Sequence, residues 1–283
     1  MACIVMNCGC TKDKAGIRYD YNVETGAAFS YPDTSFAVIS DLHIYNPALG
    51  SSGAAFEKTM NSDRKLLLDS IDLLDYATEA IISSGVRFVL IPGDISWGMN
   101  FNEALKDFEF IEDLPGNKLI SKGNHDYWWD TKSKFEKFCD ENGFRTIKMI
   151  HNNCEEAGDF IVCASRGWLL ENDESRADRE KSLYNKKIYD REIGRLKRSL
   201  DASKEIQKKK QKIVVAMHYP PFDYRRKPSG FVELMQEYDV KVCVYGHVHS
   251  EGIKNAVQGN FCGIEFKLVS SDSMDFIPYR ILC

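Results

Sequence analysis

Residues 118–126 read KLISKGNHD, and this stretch decides the fold. Its first four residues form a short run that predicts a buried strand. Gly123 allows the chain to turn sharply at the end of that strand, where a residue with a Cβ would clash. The side chains of Asn124, His125 and Asp126 would then emerge together at the carboxyl edge of a sheet, where α/β folds usually place their chemistry. An Asx-type turn that caps the next helix would explain an isolated segment of this kind, but the rest of the chain favours a functional site.

Further apolar runs along the chain predict the other elements. Buried strands are predicted at residues 36–40, 88–91, 160–164, 213–217 and 242–245, with a tail of strand-like runs at 263–269 and 278–282. Apolar residues at three- and four-residue steps predict helices near residues 67–81, 102–112 and 231–238, and the same spacing recurs at Ile193, Leu196 and Leu200. Continuous apolar runs are typical of strands buried on both faces. Their alternation with helices favours an α/β fold with a parallel or mixed sheet.

The composition is that of an ordinary globular protein. The 283 residues are 43% hydrophobic and 28% charged, and a net charge of −5 gives no general attraction to nucleic acid or to anionic membrane. No apolar run approaches the roughly 20 residues needed to span a bilayer, and the start of the chain lacks a basic leader. We therefore expect a cytoplasmic protein with neither membrane nor nucleic-acid partners.

The cysteines indicate reduced thiols. They number nine, which is odd, and Cys163 and Cys243 lie inside apolar runs, which argues against a disulfide framework. Cys3, Cys8 and Cys10 are clustered, but no second cysteine pair at zinc-site spacing follows, so incidental thiols are the better interpretation.

One domain explains the chain, which contains no internal repeat and no clear linker. We expect residues 1–35 to form an amino-terminal extension, with a short strand or hairpin near residues 17–23. Residues 36–283 would form the domain, with a charged helical insertion near residues 171–212.

Potential metal ligands follow the predicted strands. The polar residues at the strand ends are Asp41, His43, Asp94, Asn124, His125, His218, His247 and His249. Five of the six histidines are in this set, and only His151 is expected to lie away from a strand end. Imidazole and carboxylate ligands together suit Mn, Fe or Zn. Without His125, seven ligands remain, which are too many for one tetrahedral ion but suit two ions that share a carboxylate, an arrangement typical of hydrolysis by a metal-activated water.

The ordered motifs resemble those of the calcineurin-like metallophosphoesterases. They are D-x-H at 41–43, G-D at 93–94, G-N-H-D at 123–126, H-Y-P-P at 218–221 and G-H-x-H at 246–249. The resemblance covers roughly residues 36 to 275 and implies a four-layer α/β/β/α sandwich of two mixed sheets. Beyond these motifs, the chain is similar to a little-characterised bacterial group of predicted phosphohydrolases, in which Trp128 and Trp129 follow G-N-H-D.

The resemblance also implies residue roles. It assigns metal binding to seven residues: Asp41, His43 and His249 for the first ion, Asp94 as the bridge, and Asn124, His218 and His247 for the second. The two ions would be divalent or trivalent Mn, Fe or Zn. His125 would not bind metal but would protonate the leaving oxygen or stabilise its charge, a role that typically contributes 10²–10⁴-fold.

The chain departs from the family's Ser/Thr protein phosphatases at two positions. Those enzymes follow G-D with an aspartate that orients the catalytic histidine and an arginine that grips phosphate, whereas here the positions are Trp97 and Gly98. Protein phosphatase activity is therefore doubtful. Asp126 is a candidate to orient His125, with capping of the following helix as the alternative. Arg166 is predicted either to contact phosphate or to form a surface salt bridge.

These inferences favour a dinuclear-metal hydrolase that acts on a small phosphorylated molecule. A phosphodiesterase is the nearest alternative, because the same metal core serves both ester types. The aromatic residues Trp97, Tyr127, Trp128 and Trp129 could stack on a base or sugar, although such clusters more often serve packing. A non-catalytic scaffold would be expected to have lost ligands, and none is missing here.

Overall fold

The structure, a computed structural model, describes residues 36–42, 78, 80–82, 85–169, 179–223 and 225–281, together with three short strands near the amino terminus. Among these residues the chain forms fourteen strands and four long helices. Residues 78 and 80–82 are helical, and the rest of the helix predicted at residues 67–81 lies outside the described residues, as does His43.

The elements have the following bounds. The strands are β1 (Ala2–Cys3), β2 (Thr11–Lys12), β3 (Arg18–Tyr19), β4 (Phe36–Val38), β5 (Phe88–Pro92), β6 (Asn117–Ser121), β7 (Ile147–Met149), β8 (Cys154–Ala157), β9 (Phe160–Ser165), β10 (Lys212–Met217), β11 (Val242–Tyr245), β12 (Gly259–Phe261), β13 (Ile264–Leu268) and β14 (Tyr279–Ile281). The helices are α1 (Phe101–Asp113), α2 (Lys132–Asn142), α3 (Arg179–Ile206) and α4 (Gly230–Glu237), with 3₁₀ helices at Ser250–Asn255 and Ser271–Met274.

Two six-stranded mixed sheets form the centre of the molecule. The first has the order β1-β14-β4-β5-β6-β7, and the second has the order β12-β13-β11-β10-β9-β8. In the first sheet β4 to β7 run parallel, and in the second β9, β10, β11 and β13 run parallel. The carboxyl ends of the parallel strands of each sheet therefore meet at one edge, as the sequence predicts.

The two sheets pack face to face and helices cover their outer faces. In β9, Phe160 and Val162 belong to the larger core, which also holds residues of the first sheet, whereas Ile161 and Cys163 belong to a second core. The larger core includes the buried faces of α1 and α2, and the second core includes those of α3 and α4. The predicted four-layer α/β/β/α sandwich is confirmed.

The charged segment after β9 contributes a helix to this architecture. Leu196 and Leu200 on α3 are fully buried in the second core, as their helical spacing predicts. Near the amino terminus, β1 pairs with β14 at an edge of the first sheet, and β2 pairs with β3 as a separate two-stranded ribbon. The predicted strand near residues 17–23 corresponds to β3.

The sequence assigned no position to several elements. They are α2, β1, β2, β7, β8, β12 and the two 3₁₀ helices. Helix α2 is charged and buries only Phe135, Phe138 and Cys139, so its apolar stripe is short. The expectation that His151 lies away from a strand end is wrong, because β7 ends at Met149, two residues earlier.

No helix among the described residues has both the length and the apolar character that a membrane crossing requires.

Candidate metal centre

Two buried carboxylates follow the central strands of the first sheet. Asp41 and Asp94 are 1% and 2% exposed, and both have left-handed backbones, with φ of 57° and 50°. Their backbones are joined, because Asp41 N–H donates to the carbonyl of Gly93 at 3.1 Å. Non-glycine residues rarely adopt positive φ, and those that do cluster at functional sites. The turn at each strand end therefore aims a carboxylate into the space between the sheets.

Two glycines are required by these carboxylates. A Cβ on Gly123 would lie 2.0 Å from Asp94 Oδ1, and a Cβ on Gly246 would lie 2.3 Å from Asp41 Oδ2. Only glycine permits so close an approach of the backbone to the carboxylates. The glycines of G-N-H-D and G-H-x-H thus form part of the walls of the site.

His218 contacts the donors that surround Asp94. Its Nε2 lies 3.3 Å from Asp94 Oδ2 and 2.7 Å from Asn124 Oδ1. His247 Nδ1 lies 3.2 Å from the same Nε2. Ligand atoms of Asp94, His218 and His247 all lie within 4.8 Å of one another, a spacing that suits a shared metal ion.

A second group of donors surrounds Asp41. His249 Nε2 lies 3.3 Å from Asp41 Oδ1, and His218 Nδ1 lies 3.8 Å from the same oxygen. The backbone N–H of His247 donates to both carboxylate oxygens of Asp41 at 3.1 Å. Asp41 therefore belongs to the same constellation as the first group, so six of the seven predicted ligands lie together. The seventh, His43, lies outside the described residues.

Asp272, which is not among the predicted site residues, also belongs to the site. Its Oδ1 lies 2.8 Å from His249 Nδ1, and its Oδ2 accepts the backbone N–H of Ser250 at 3.0 Å. A carboxylate on the far nitrogen of a ligand histidine fixes the tautomer and ring orientation of that histidine. A signal was available, since Asp272 follows the run predicted as a strand at 263–269, where the other strands also carry functional residues.

The surroundings of two histidines at the site shift their pKa values in opposite directions. Burial, followed by repulsion from His218, lowers the pKa of His247 to about 4, so its imidazole is neutral at pH 7. Burial also tends to lower the pKa of His249, but hydrogen bonds with Asp272 and Asp41 outweigh it and raise the pKa to about 10. His249 would therefore release a proton when it binds a metal ion.

The donor set fits transition-metal ions. It combines buried carboxylates with imidazole nitrogens and the amide oxygen of Asn124, a mixture that suits Mn, Fe and Zn. Backbone N–H groups hold both carboxylates, and Gly123 and Gly246 lie where a Cβ would collide with them. The residues present therefore can hold metal.

His125 stands beside these donors and contacts Trp97. Its backbone N–H donates to Asp94 Oδ1 at 2.8 Å, and its ring centroid lies 4.7 Å from that of Trp97. The ring of Tyr127, which is 47% exposed, lies 6.1 Å away from that of His125. Trp97, at the position where the sequence resemblance places an aspartate in the Ser/Thr protein phosphatases, thus packs against the histidine ring.

Asp126 connects two loops of the site. Its carboxylate accepts the backbone N–H groups of Asp94 at 2.9 Å, Ile95 at 2.8 Å and Gly123 at 2.7 Å. The indole N–H of Trp128 also donates to it, at 3.1 Å. Burial, followed by repulsion from Asp94, raises the pKa of Asp126 to about 6.

The alternative that Asp126 caps the next helix is wrong. Helix α2 begins at Lys132, and its N-cap is Thr131, whose side chain accepts the backbone N–H of Lys134. The hydrogen bonds of Asp126 instead fix the two turns that present Asp94 and His125.

The remaining residues that the sequence singled out pack against other parts of the molecule. Trp128 is 2% exposed and packs against Phe108 with ring centroids 4.8 Å apart, so it belongs to the core. Trp129 meets His151 at 5.8 Å. Arg166 forms an ion pair with the buried Glu192 at 3.5 Å. This is the salt bridge that was one of the two predicted alternatives for Arg166, but it is largely buried and does not lie at the surface.

Comparison with known proteins identifies one family. A family model described as calcineurin-like phosphoesterase matches residues 34–251, a range that contains every predicted metal ligand. A search of curated protein sequences gives no significant match.

Several solved structures are similar in shape at low identity. A phosphopantetheinyl hydrolase from Mycobacterium tuberculosis is 13% identical, with 89% of this chain and 97% of that chain covered and a TM-score of 0.49. A protein of unknown function from Aquifex aeolicus is 14% identical, with 87% and 95% covered and a TM-score of 0.39. A purple acid phosphatase from yellow lupin (Lupinus luteus) seeds is 12% identical, with 95% of this chain and 48% of that chain covered and a TM-score of 0.45.

Proposed function

Because this chain belongs to the calcineurin-like phosphoesterase family, we propose that it is a dinuclear-metal phosphohydrolase that acts on a small phosphorylated molecule. One observation carries the proposal: ligand atoms of Asp94, His218 and His247, from both sheets, lie within 4.8 Å of one another. Asp41 and Asn124 contact His218 of this group, and His249 contacts Asp41. A scaffold that had lost catalysis would have no reason to retain such a set.

The donors divide into two halves around Asp94. Asp41 and His249, with His43, would hold one ion, and Asn124, His218 and His247 would hold the other, with Asp94 between them. When bound, two such ions activate a water molecule and stabilise the attacking and leaving oxygens of an in-line displacement. The ions would be Mn, Fe or Zn, because these tolerate a mixed oxygen and nitrogen donor set.

The chain's own residues would supply orientation and a proton. Asp272 holds the imidazole of His249 towards Asp41, and the backbone N–H of His125 holds Asp94 in place. The His125 ring, beside Trp97, is placed to protonate the leaving oxygen or to stabilise its charge. Trp97 would limit the orientations that this ring can adopt.

A phosphodiesterase is the second candidate. Tyr127 is 47% exposed although it is aromatic, and its ring lies 6.1 Å from that of His125. An exposed ring at this place could stack on the base or sugar of a nucleotide diester. Free buried thiols such as Cys163 and Cys243 support a reducing, cytoplasmic location for either activity.

Hydrolysis of two chromogenic esters tests the proposal. The full-length protein, loaded with Mn²⁺, is assayed with p-nitrophenyl phosphate and with bis-p-nitrophenyl phosphate, beside His125→Ala. We expect kcat to fall by about 10²–10⁴-fold in the variant, because it lacks the proton donor, while the metal content is unchanged. Turnover that survives both the substitution and removal of metal by a chelator would refute the proposal.

The ratio of the two activities decides between the candidates. Faster hydrolysis of the monoester supports the leading proposal, and faster hydrolysis of the diester supports the phosphodiesterase.

A further inference from the structure

We propose that a basic cluster beside the metal centre binds a second phosphoryl group, so that the preferred substrate carries two. The cluster consists of Lys122, Arg166, Arg191 and Arg195, grouped around the carboxylate of Glu192. This inference rests on the proposed function, since it assigns the scissile phosphoryl group to the metal centre. It narrows the substrate class from any small phosphoester to a bisphosphorylated molecule.

The cluster adjoins the metal centre on two sides. Lys122 lies two residues before Asn124, so their Cα atoms are at most about 7 Å apart. Arg166 follows β9, and its carbonyl accepts the backbone N–H of Tyr219 at 2.9 Å. The ring of Tyr219 lies 4.1 Å from that of His247. A small molecule with one phosphoryl group among the metal donors can therefore reach the cluster with the other.

The cluster holds more positive charge than the neighbouring carboxylates neutralise. The carboxylate of Glu192 is fully buried and has three arginine partners, Arg195 at 2.8 Å and Arg166 and Arg191 at 3.5 Å. Lys122 forms no ion pair with any residue that the structure describes. These four cations exceed the carboxylate charge beside them, in a chain whose net charge is −5. Such an excess attracts anions.

Of the other groups that face the cluster, the carboxylate of Asp126 offsets part of this charge through its attraction to Lys122. Arg198, on the same helix as Glu192, donates to Asn152 Oδ1 at 2.9 Å. His151, after β7, stays neutral, because burial and then the charges of Arg195 and Lys122 lower its pKa to about 4. The cluster therefore keeps an excess of positive charge.

Arginine and lysine are suited to phosphate. The Arg166 guanidinium lies 4.7 Å from the centre of the Trp168 ring, and its side chain is 13% exposed, so its position is fixed. Its Nε is buried and makes no hydrogen bond among the described residues. A guanidinium held in this way can form paired, charge-assisted hydrogen bonds to phosphate oxygens.

The phosphoryl group would bind at the outer side of the cluster. The gap between the side chains is about 10 Å³ and admits about one water molecule. Lys122 is half-buried, and Arg195 is 25% exposed. These two side chains can reach an anion at the surface, next to the metal donors.

Calorimetric titration of the full-length, Mn²⁺-loaded protein tests the inference, after free metal has been removed. The probes are propane-1,3-diol bisphosphate and propyl phosphate, which differ by one phosphoryl group. We expect the bisphosphate to bind the wild type at least tenfold more tightly. Arg166→Gln and Lys122→Gln should each reduce that ratio by about threefold or more, because each loses one charged contact.

A matched variant provides the control. Arg145 is exposed, pairs with Asp140 and precedes β7, at the opposite ends of the strands, so Arg145→Gln should keep the wild-type ratio. If Arg166→Gln fails to fold, Lys122→Gln, on a loop, still gives the answer. Equal affinity of the wild type for both probes, or variants that keep the full ratio, would overturn the inference.

The outcome is separable from that of the proposed function. A tenfold preference for the bisphosphate without ester hydrolysis would uphold the cluster and refute the catalytic proposal. Ester hydrolysis without any preference for the bisphosphate would uphold the catalytic proposal and refute the role of the cluster.

Discussion

Trp97 lies beside His125, at the position where the sequence resemblance places an aspartate in the Ser/Thr protein phosphatases. The indole is 9% exposed and its ring centre is 4.7 Å from that of the imidazole. An aromatic neighbour restricts the ring by packing, whereas a carboxylate would do so by a hydrogen bond. The turn that carries Trp97 is itself fixed, because the Ser96 hydroxyl bonds the buried Asp107 and accepts the N–H of Gly98 at 3.0 Å.

Trp97 should therefore act as a positioning residue. We expect Trp97→Ala to lower kcat by about tenfold, because a mobile imidazole is less often oriented for proton transfer. Trp97→Phe should recover most of the loss, since it restores an aromatic face. Steady-state kinetics with p-nitrophenyl phosphate gives kcat and KM separately, and metal content is measured alongside. An unchanged kcat in Trp97→Ala would contradict the positioning role.

Asp272 should tune metal affinity through His249. We expect Asp272→Asn to weaken metal binding by about 10–100-fold, because the imidazole loses its charged partner. Competition with a fluorescent chelator measures the affinity. Asp275→Asn serves as the control, because Asp275 is exposed on the same segment and its left-handed backbone tolerates asparagine. Equal affinity in the wild type and Asp272→Asn would rule out this role.

Residue identity alone predicted most of the donors that the structure brings together. Asp41, Asp94 and His218 each stand at the end of an apolar run, and the run and the ligand are both visible in the sequence. Asp272 was not predicted, because its role depends on its contact with His249, which lies 23 positions away in the chain. A contact of this kind is set by tertiary packing, and the only local signal for Asp272 is its position after a predicted strand.

Among the elements, the loops after β5 and β6 are held together by one carboxylate. The four strongest hydrogen bonds of Asp126 come from three backbone N–H groups and the Trp128 indole, at 2.7–3.1 Å. Two turns in separate parts of the chain therefore share one buried anchor. Their relative position also sets the position of Asp94 relative to His125.

Replacement of Asp126 should destabilise the fold. We expect Asp126→Ala to lower the free energy of unfolding by roughly 3 kcal/mol or more, because several buried N–H groups lose their acceptor. Urea titration followed by circular dichroism measures the change. Asp130→Ala provides the comparison, since Asp130 forms a surface ion pair with Lys134, and its loss should cost far less. A similarly small loss of stability in Asp126→Ala would contradict the inference that Asp126 holds the two loops together.

The elements that were predicted and those that were not differ in burial. Strands β5, β10 and β11 are almost wholly buried, so their apolar runs stand out in the sequence. Strands β7 and β8 lie at the sheet edges and are short and mixed in polarity. Apolar patterns in a sequence reflect burial, so they do not reveal edge strands whose residues are only partly buried.

In the whole molecule, the metal centre forms where the two sheets meet. The backbone of Ser40, after β4, forms two hydrogen bonds with the segment after β13. Its carbonyl accepts the N–H of Ser271 at 3.0 Å, and its N–H donates to the carbonyl of Val269 at 2.9 Å. Asp41 and His247, which are 206 positions apart, contact each other next to this junction. The packing of one sheet on the other therefore sets the distances between the ligands.

His151 lies between β7 of the first sheet and β8 of the second, and it should make stability depend on pH. Burial, followed by the charges of Arg195 and Lys122, lowers its pKa from 6.5 to about 4. As pH falls from about 6.5 to 4, the unfolded chain binds a proton that the folded protein does not, so the folded state loses stability. Above pH 6.5 the residue is neutral in both states.

Comparison with His151→Gln isolates this contribution. Urea unfolding at pH 7.5 and at pH 4.5 should show a smaller acid-induced loss of stability in the variant than in the wild type. Equal losses in the two proteins would show that His151 has no part in the acid sensitivity.

The central claim, a dinuclear metal centre at the junction of the sheets, is tested most directly by anomalous X-ray diffraction from crystals of the Mn²⁺-loaded protein. The account predicts two anomalous peaks about 3.5–4 Å apart, on either side of Asp94. One peak should lie beside Asp41 and His249, and the other beside His218 and His247. A single peak, or peaks away from these side chains, would contradict it.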